Sequence, residues 1–210
     1  GLGDSNFNGN TNITVSSLTP NTTYYFQLFA YDTWNNSTSS ASEFSTSTAI
    51  TTGISLSASV VSTSSVDLSW SSDGNPDGTV YQVYNETDSS VVGTTTSTSY
   101  TVTDLSVNTG YQFKIRMEEA GNPGNYSDYS DISAMVYTYA TAPLQPSLSN
   151  ATSGTIDMAF NAEGSNPSST QYLIIVDDSY YVQANGSLDS NTEVWQTKSN
   201  WEPTTISGLT

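Results

Sequence analysis

The sequence predicts an all-β protein built as a tandem array of small β-sandwiches. The segment 18–30, LTPNTTYYFQLFA, recurs 87 residues later as 105–117, LSVNTGYQFKIRM. In these segments and in 66–70, VDLSW, apolar residues alternate with polar ones, as one buried face of a pleated strand requires. A recurrence of this length holds one small β domain, so the chain is interpreted as a repeat protein.

The middle unit is predicted to contain seven strands. Clusters of Gly, Asn, Pro and Asp between apolar stretches mark the turns that separate them. In chain order, we place the strands at 54–60, 65–70, 80–84, 91–92, 99–103, 110–117 and 132–139. Short strands in this number pack as a sandwich of two antiparallel sheets.

This middle unit resembles a fibronectin type III domain. The resemblance rests on Trp70 in the second strand and on the pattern Leu105-x-x-x-Thr109-x-Tyr111 leading into the sixth. It implies an immunoglobulin-like sandwich with Trp70 between the sheets and the Tyr111 hydroxyl bonded to the backbone of the preceding corner. Tyr24 takes the same place in the first copy.

The array is divided into one complete and two partial domains. We predict the C-terminal part of a fibronectin type III domain (strands E to G) at 1–52, a complete domain at 53–140, and an N-terminal part (strands A to E) at 141–210. In the third unit, 156–160 matches 66–70, with Phe160 where the family usually has Trp. The distance from Leu105 to its counterpart Leu209 is longer than the repeat of 87 residues, which predicts an insertion near 189–201.

The partial units at the two ends are complementary. Each alone would leave unpaired strand edges and half a core. We therefore expect a neighbour to complete them end to end, so that the expected partner is the protein itself, head to tail. Two versions stay open: an excerpt of a long tandem chain, or a filament of separate chains.

The charge balance excludes several classes of partner. With 3 Lys and Arg against 20 Asp and Glu, the net charge is −17, which repels nucleic acid and anionic membrane surfaces. No apolar run is long enough for membrane insertion in this segment. Without Cys, the sequence predicts no disulfide framework.

The sequence predicts that the chain is not an enzyme and has no catalytic residues. Because it contains no His and no Cys, Ser-His-Asp and Cys-His catalytic sets cannot form. Pairs of carboxylates, which could in principle catalyse glycoside hydrolysis, occur at 118–119, at 177–178 and as Asp73 with Asp77. All lie at predicted turns or strand ends, where Asp commonly serves local hydrogen bonding.

One loop carries a metal-like pattern. Asp73, Asn75 and Asp77 in DGNPDG match the first half of a calcium loop with alternating oxygen ligands. The twelfth position is Tyr84 instead of the bidentate Glu, so a shaped turn is the other interpretation. Calcium is therefore the one candidate cofactor, and no organic cofactor is expected.

The sequence contains eight Asn-x-Ser/Thr sequons, and six of them are candidate glycosylation sites. The richness in Ser and Thr alone generates sequons in about this number. The candidates are Asn21, Asn36, Asn85, Asn125, Asn150 and Asn185.

Four aromatic residues cluster around the expected insertion. Trp195, Trp201, Tyr180 and Tyr181 fit core packing, contact with a partner, or stacking on a sugar face.

These observations favour a structural segment of an extracellular or cell-surface fibre, stalk or adhesin. One alternative is a spacer or carbohydrate-binding module of a secreted polysaccharide-degrading enzyme. Another is an ectodomain that binds cell-surface glycans or proteins through its loop tips. The exported location follows from the resemblance and from the richness in Asn, Ser and Thr.

Overall fold

The computed structural model describes residues 13–30, 34, 36–37, 43–51, 53–161, 165–202 and 204–209. It confirms the predicted fold class, because these residues form antiparallel β-sheets and a single helical turn. In the first unit, β1 (Thr23–Phe26) pairs with β2 (Phe44–Ser47) as an antiparallel hairpin. No described helix is long and apolar enough to cross a membrane.

The middle domain is a two-sheet sandwich. Its strands are β3 (Ser57–Val60), β4 (Val66–Ser69), β5 (Tyr81–Asn85), β6 (Ser90–Thr95), β7 (Ser99–Val102), β8 (Gly110–Tyr111), β9 (Phe113–Met117) and β10 (Val136–Tyr137). One sheet has the order β3-β4-β7, and the other has the order β6-β5-β9, with β10 paired to β8. The order within each sheet brings strands distant in sequence side by side, as a sandwich requires.

The core of the middle domain lies between these sheets. Burial alternates along β4, β5 and β9 with a period of two, as the sequence pattern predicts. Trp70 packs edge-on against Tyr81 with ring centroids 5.3 Å apart, and Phe113 is fully buried. Trp70 therefore occupies the position between the sheets that the resemblance implies.

The last strand of this domain is shorter than predicted. The expected strand at 132–139 reduces to β10, and 127–135 runs beside β9 without forming a regular strand. Ser127, Ser130 and Ser133 each donate a backbone N–H to a carbonyl of β9. Each also accepts a β9 N–H through its hydroxyl oxygen. Side-chain hydroxyls thus replace backbone carbonyls at every third residue, which is a three-residue period that alternation cannot reveal.

The third unit repeats the first sheet of the middle domain. Its elements are β11 (Ser147–Ser149), β12 (Thr155–Ala159), β13 (Gln171–Tyr172), β14 (Ile175–Val176), β15 (Tyr180–Val182), β16 (Leu188–Asp189), β17 (Gln196–Thr197), α1 (Lys198–Trp201) and β18 (Thr204–Ser207). The order β11-β12-β18 matches β3-β4-β7, while β14-β15-β16 and β13-β17 form smaller sheets.

The aromatic contact of the middle core is also repeated in the third unit. Phe160 packs edge-on against Tyr172 at 5.2 Å, in the way that Trp70 meets Tyr81. The region of the expected insertion contributes Trp201, which is 1% exposed and donates its indole N–H to the Tyr172 carbonyl at 2.9 Å. A residue outside the repeated pattern therefore helps to build this core.

Candidate functional site at the domain junctions

The first unit and the middle domain each have a tight corner at one end, and the two corners form the same hydrogen bonds. The hydroxyl of Tyr24 accepts the backbone N–H of Thr19 at 2.9 Å, and that of Tyr111 accepts the N–H of Ser106 at 2.9 Å. The tyrosine corners implied by the resemblance are thus present in both copies. Hydrogen bonds from the Thr19 side chain and backbone lower the pKa of Tyr24.

Each corner presents one asparagine in the left-handed region. Asn21 has φ 44° and Asn108 has φ 45°, and each backbone N–H is fixed by a carbonyl 3.1 Å away. Asn tolerates this conformation better than most residues because its short amide can form local hydrogen bonds. The corner therefore holds each amide in place at the end of the domain.

The amide of Asn21 is inserted into the loops of the middle domain. Its Nδ2 donates to the Glu118 carbonyl at 3.2 Å and to the Thr79 hydroxyl at 3.5 Å, and its Oδ1 accepts the Ala120 N–H at 2.7 Å. From the neighbouring strand, the Ser47 hydroxyl donates to the Ala120 carbonyl at 2.8 Å. Asn21 is 4% exposed, so this polar group is buried and satisfied by its neighbour.

The calcium-like loop forms the other side of the same junction. Asn75 is buried, and its Nδ2 donates to the Thr51 hydroxyl at 2.8 Å and to the Ser72 carbonyl at 2.9 Å. Asp73 and Asp77 are exposed. The loop is a turn that holds the linker, and the described residues contain no group of three His, Cys, Asp or Glu able to hold a metal ion. Calcium binding stays a prediction.

A cavity of about 280 Å³ adjoins this junction, lined in part by Asp77, Glu118 and Glu119. Glu118 accepts the Gly124 N–H at 2.6 Å, and Glu119 accepts the side-chain amide of Asn125 at 2.6 Å. These two carboxylates therefore stabilise the turn at 121–125 by accepting hydrogen bonds from it.

The sequons differ in exposure. Asn21 and Asn85 are buried, at 4% and 2%, so a glycan on either would require the surrounding packing to open. Asn36, Asn125, Asn150 and Asn185 are exposed. Glycosylation of these asparagines stays a prediction.

The aromatic cluster of the third unit is divided between core and surface. Trp201 is buried in the core and Tyr181 is half-buried, whereas Trp195 and Tyr180 are 53% and 45% exposed. The Trp195 indole N–H donates to Glu193 at 3.0 Å. Core packing thus accounts for Trp201, and the two exposed rings stay available to a partner.

Two of the three cations lie in an aromatic stack on the middle domain. The Lys114 ammonium is 4.7 Å and 4.6 Å from the ring centroids of Tyr84 and Tyr129, and the Arg116 guanidinium is 4.3 Å and 4.8 Å from those of Tyr126 and Tyr129. A hydrogen bond to Glu86 raises the pKa of Lys114. These cations stabilise a sheet face and are already engaged by rings.

Sequence reasoning missed the junction residues. The sequence predicted a glycan acceptor at Asn21, and a metal ligand or a shaped turn at Asn75, but no contact between units at either residue. The available signal was the recurrence of Asn21 as Asn108 and of Asn75 as Asn166 at nearly the repeat distance. Identical polar residues at matching places in successive units indicate a shared contact.

Comparison with known sequences gives a family match over the middle of the chain. Residues 49–133 match the sequence model of the fibronectin type III domain. Chitinase A1 of Niallia circulans is 33% identical over 131 residues, which is 58% of this chain and 18% of that protein. The chain therefore spans less than a fifth of the length of this curated relative.

Comparison with solved structures gives matches over parts of this chain. A segment of two fibronectin type III domains from chicken tenascin is 15% identical, and the match covers 74% of this chain and 82% of that one with a TM-score of 0.43. Titin kinase with its flanking domains is 32% identical, and the match covers 42% of this chain and 17% of that one with a TM-score of 0.35.

Proposed function

Because residues 49–133 belong to the fibronectin type III family, we propose that this chain is a non-catalytic structural segment of an extracellular fibre, stalk or adhesin. Its sandwiches act as spacers that hold other parts of an assembly at a set distance. The net charge of −17 keeps such an extended array soluble and discourages compaction of its units onto one another.

The contact between the first unit and the middle domain supports this function best. Asn21 buries its amide among Thr79, Glu118 and Ala120, which lie in two of the loops at one end of the sandwich. Those loops are occupied by the preceding unit. A spacer uses this end as a joint, whereas a receptor that binds through loop tips needs it free.

End-to-end completion by a neighbouring chain or segment is part of the proposal. On β2, Phe44 pairs with Phe26 of β1 on one face of the hairpin, and the Phe44 ring is 59% exposed. Apolar surface of this kind is covered in a complete sandwich by the opposite sheet. The covering segment would be another repeat of this kind, and the surrounding compartment would be extracellular.

Small-angle scattering of the whole chain tests the spacer function. We expect a maximum dimension close to that of units placed end to end. A compact particle, with the units folded back on one another, would contradict the proposal. Mass measured under native and denaturing conditions then shows whether separate chains assemble head to tail.

An accessory module of a secreted polysaccharide-degrading enzyme is the second candidate function. Two observations favour it: the similarity to a chitinase over 58% of the chain, and the exposed Trp195 and Tyr180 rings in the third unit. Rings of this type stack on sugar faces. Retention on chitin that is lost in a variant with Trp195→Ala and Tyr180→Ala would favour the module over the spacer.

A further inference from the structure

Both junctions of this chain use the same pair of linker contacts. At the first, the Asn75 Nδ2 donates to the Thr51 carbonyl at 3.5 Å, and its Oδ1 accepts the Thr51 N–H at 3.4 Å. The same Nδ2 also donates to the Thr51 hydroxyl at 2.8 Å. At the second, the Asn166 Nδ2 donates to the Thr141 carbonyl at 2.8 Å, and its Oδ1 accepts the Thr141 N–H at 2.8 Å. In each case an asparagine amide holds the backbone of the linker that enters the unit.

A second contact, on a different element, also occurs twice. The corner asparagine of one unit donates to a loop threonine of the next: Asn21 to Thr79 at 3.5 Å, and Asn108 to Thr170 at 2.8 Å. Both threonines are 6% exposed, and each donates its backbone N–H to the carbonyl of a proline three residues earlier. The corner asparagine and the loop threonine are therefore each held in place by hydrogen bonds within their own unit.

Two separate contact points restrict the relative motion of neighbouring units more than a single contact does. A linker bond alone leaves a unit able to swing and twist about the linker. A corner bond alone leaves the linker free. Together the linker contact and the corner contact fix both tilt and rotation, because they join different elements of the two units.

We infer that the corner end and the loop end of these units are mutual docking surfaces, joined by a two-point asparagine clamp that repeats one relative orientation along the array. The partner that fits each surface is another unit of this same repeat. Corner asparagine, linker threonine, loop asparagine and loop threonine are the required set. This inference deepens the proposed spacer function and rests on it, because a spacer of set length needs joints of set angle.

The second junction offers the cleaner test because its corner amide contacts only one loop residue of the next unit in the described structure. Since the chain has no Cys, spin labels on Thr96→Cys in the middle domain and Ser153→Cys in the third unit report one distance. Both positions are exposed. Pulsed dipolar spectroscopy of the whole chain should give a single narrow distance distribution.

Loss of the corner contact should remove that narrow peak. Asn108→Gly keeps the left-handed backbone and deletes the amide, and Thr170→Val deletes the hydroxyl while keeping the side-chain shape. Each is expected to broaden the distribution, and more so when combined with Asn166→Ala. Thr170→Ser should retain the narrow peak because it restores the hydroxyl.

The matched control is Asn150→Gly, since Asn150 is also left-handed, with φ 51°, but is exposed and bonded within its own unit to Asp157. This control should leave the distance distribution unchanged. A broad distribution in the unmodified chain would overturn the clamp, and so would a narrow one in the combined variant. An extended chain with a broad distance distribution would contradict the clamp alone. A chain that is compact in small-angle scattering would contradict the spacer function as well.

Discussion

The middle domain and the third unit share a three-stranded sheet of the same order but build their cores from different residues. In the middle domain, β9 supplies Phe113, Ile115 and Met117, all at most 2% exposed. The third unit instead buries Trp201 from the helical turn α1. Its described core holds six buried residues against twelve in the middle domain, so less apolar surface stabilises it. The comparison shows that a residue outside the repeated pattern can contribute core volume to one unit.

Trp201→Ala gives the largest expected effect on this comparison. Removing a fully buried ring and its hydrogen bond to Tyr172 should lower the unfolding free energy of the third unit by about 3–5 kcal/mol. Hydrogen exchange of the whole chain, followed at β12 and β18, measures the loss. The matched control is Trp195→Ala, an exposed ring from the same segment, which should change stability little. Equal effects of the two variants would show that Trp201 is not a core residue.

Trp70→Phe makes the middle domain resemble the third unit at the second strand. The smaller ring should reduce the contact with Tyr81 and lower the unfolding free energy by about 1–2 kcal/mol. Chemical denaturation, with hydrogen exchange to assign the change to the middle domain, measures it. An unchanged stability would mean that Phe and Trp are equivalent at this position, and that the two cores differ only through β9 and Trp201.

The smallest expected effect is on the stability of the third unit at acidic pH. Hydrogen bonds from the Thr205 hydroxyl, at 2.5 Å, and the Asn150 amide, at 2.8 Å, lower the pKa of Asp157 from its ordinary value of 3.8. The ionised carboxylate thus stabilises the third unit above that value, and the stabilisation is lost as the pH falls through the lowered pKa.

In the middle domain, Asp67 accepts the Thr101 hydroxyl in the corresponding place. We expect Asp157→Asn to remove part of the acid sensitivity of the third unit, and Asp67→Asn to leave that unit unaffected. Hydrogen exchange at several pH values, read at β12, checks both. An identical acid response of the Asp157→Asn variant and the parent chain would contradict this role.

Much of the fold was predictable because its signals are local. Alternation placed β4 and β9, and turn residues bounded β5. The pattern ending in Tyr111, through its resemblance to the fibronectin type III family, indicated the corner found in both copies. The strand predicted at 132–139 was wrong in extent because Ser127, Ser130 and Ser133 impose a period of three. A period of two cannot describe a segment in which side chains take the place of backbone acceptors.

The candidate site was less predictable than the fold. Asp73, Asn75 and Asp77 suggested ligands because their spacing matches a calcium loop, yet the Asn75 amide binds Thr51, 24 residues earlier in the chain. A loop pattern records which polar atoms are near one another in sequence. It does not record which partner reaches them.

The sequence by itself determined the sandwich architecture and the repeat length, since these depend on residue periodicity and turn spacing. The tyrosine corners followed from the resemblance to the fibronectin type III family. Only the tertiary structure decided how the units are joined. Asn21 binds groups 58, 97 and 99 residues away, at Thr79, Glu118 and Ala120. Hydrogen bonds between surface loops of separate units leave no hydrophobic period in the sequence, so their geometry emerges only when the domains are placed side by side.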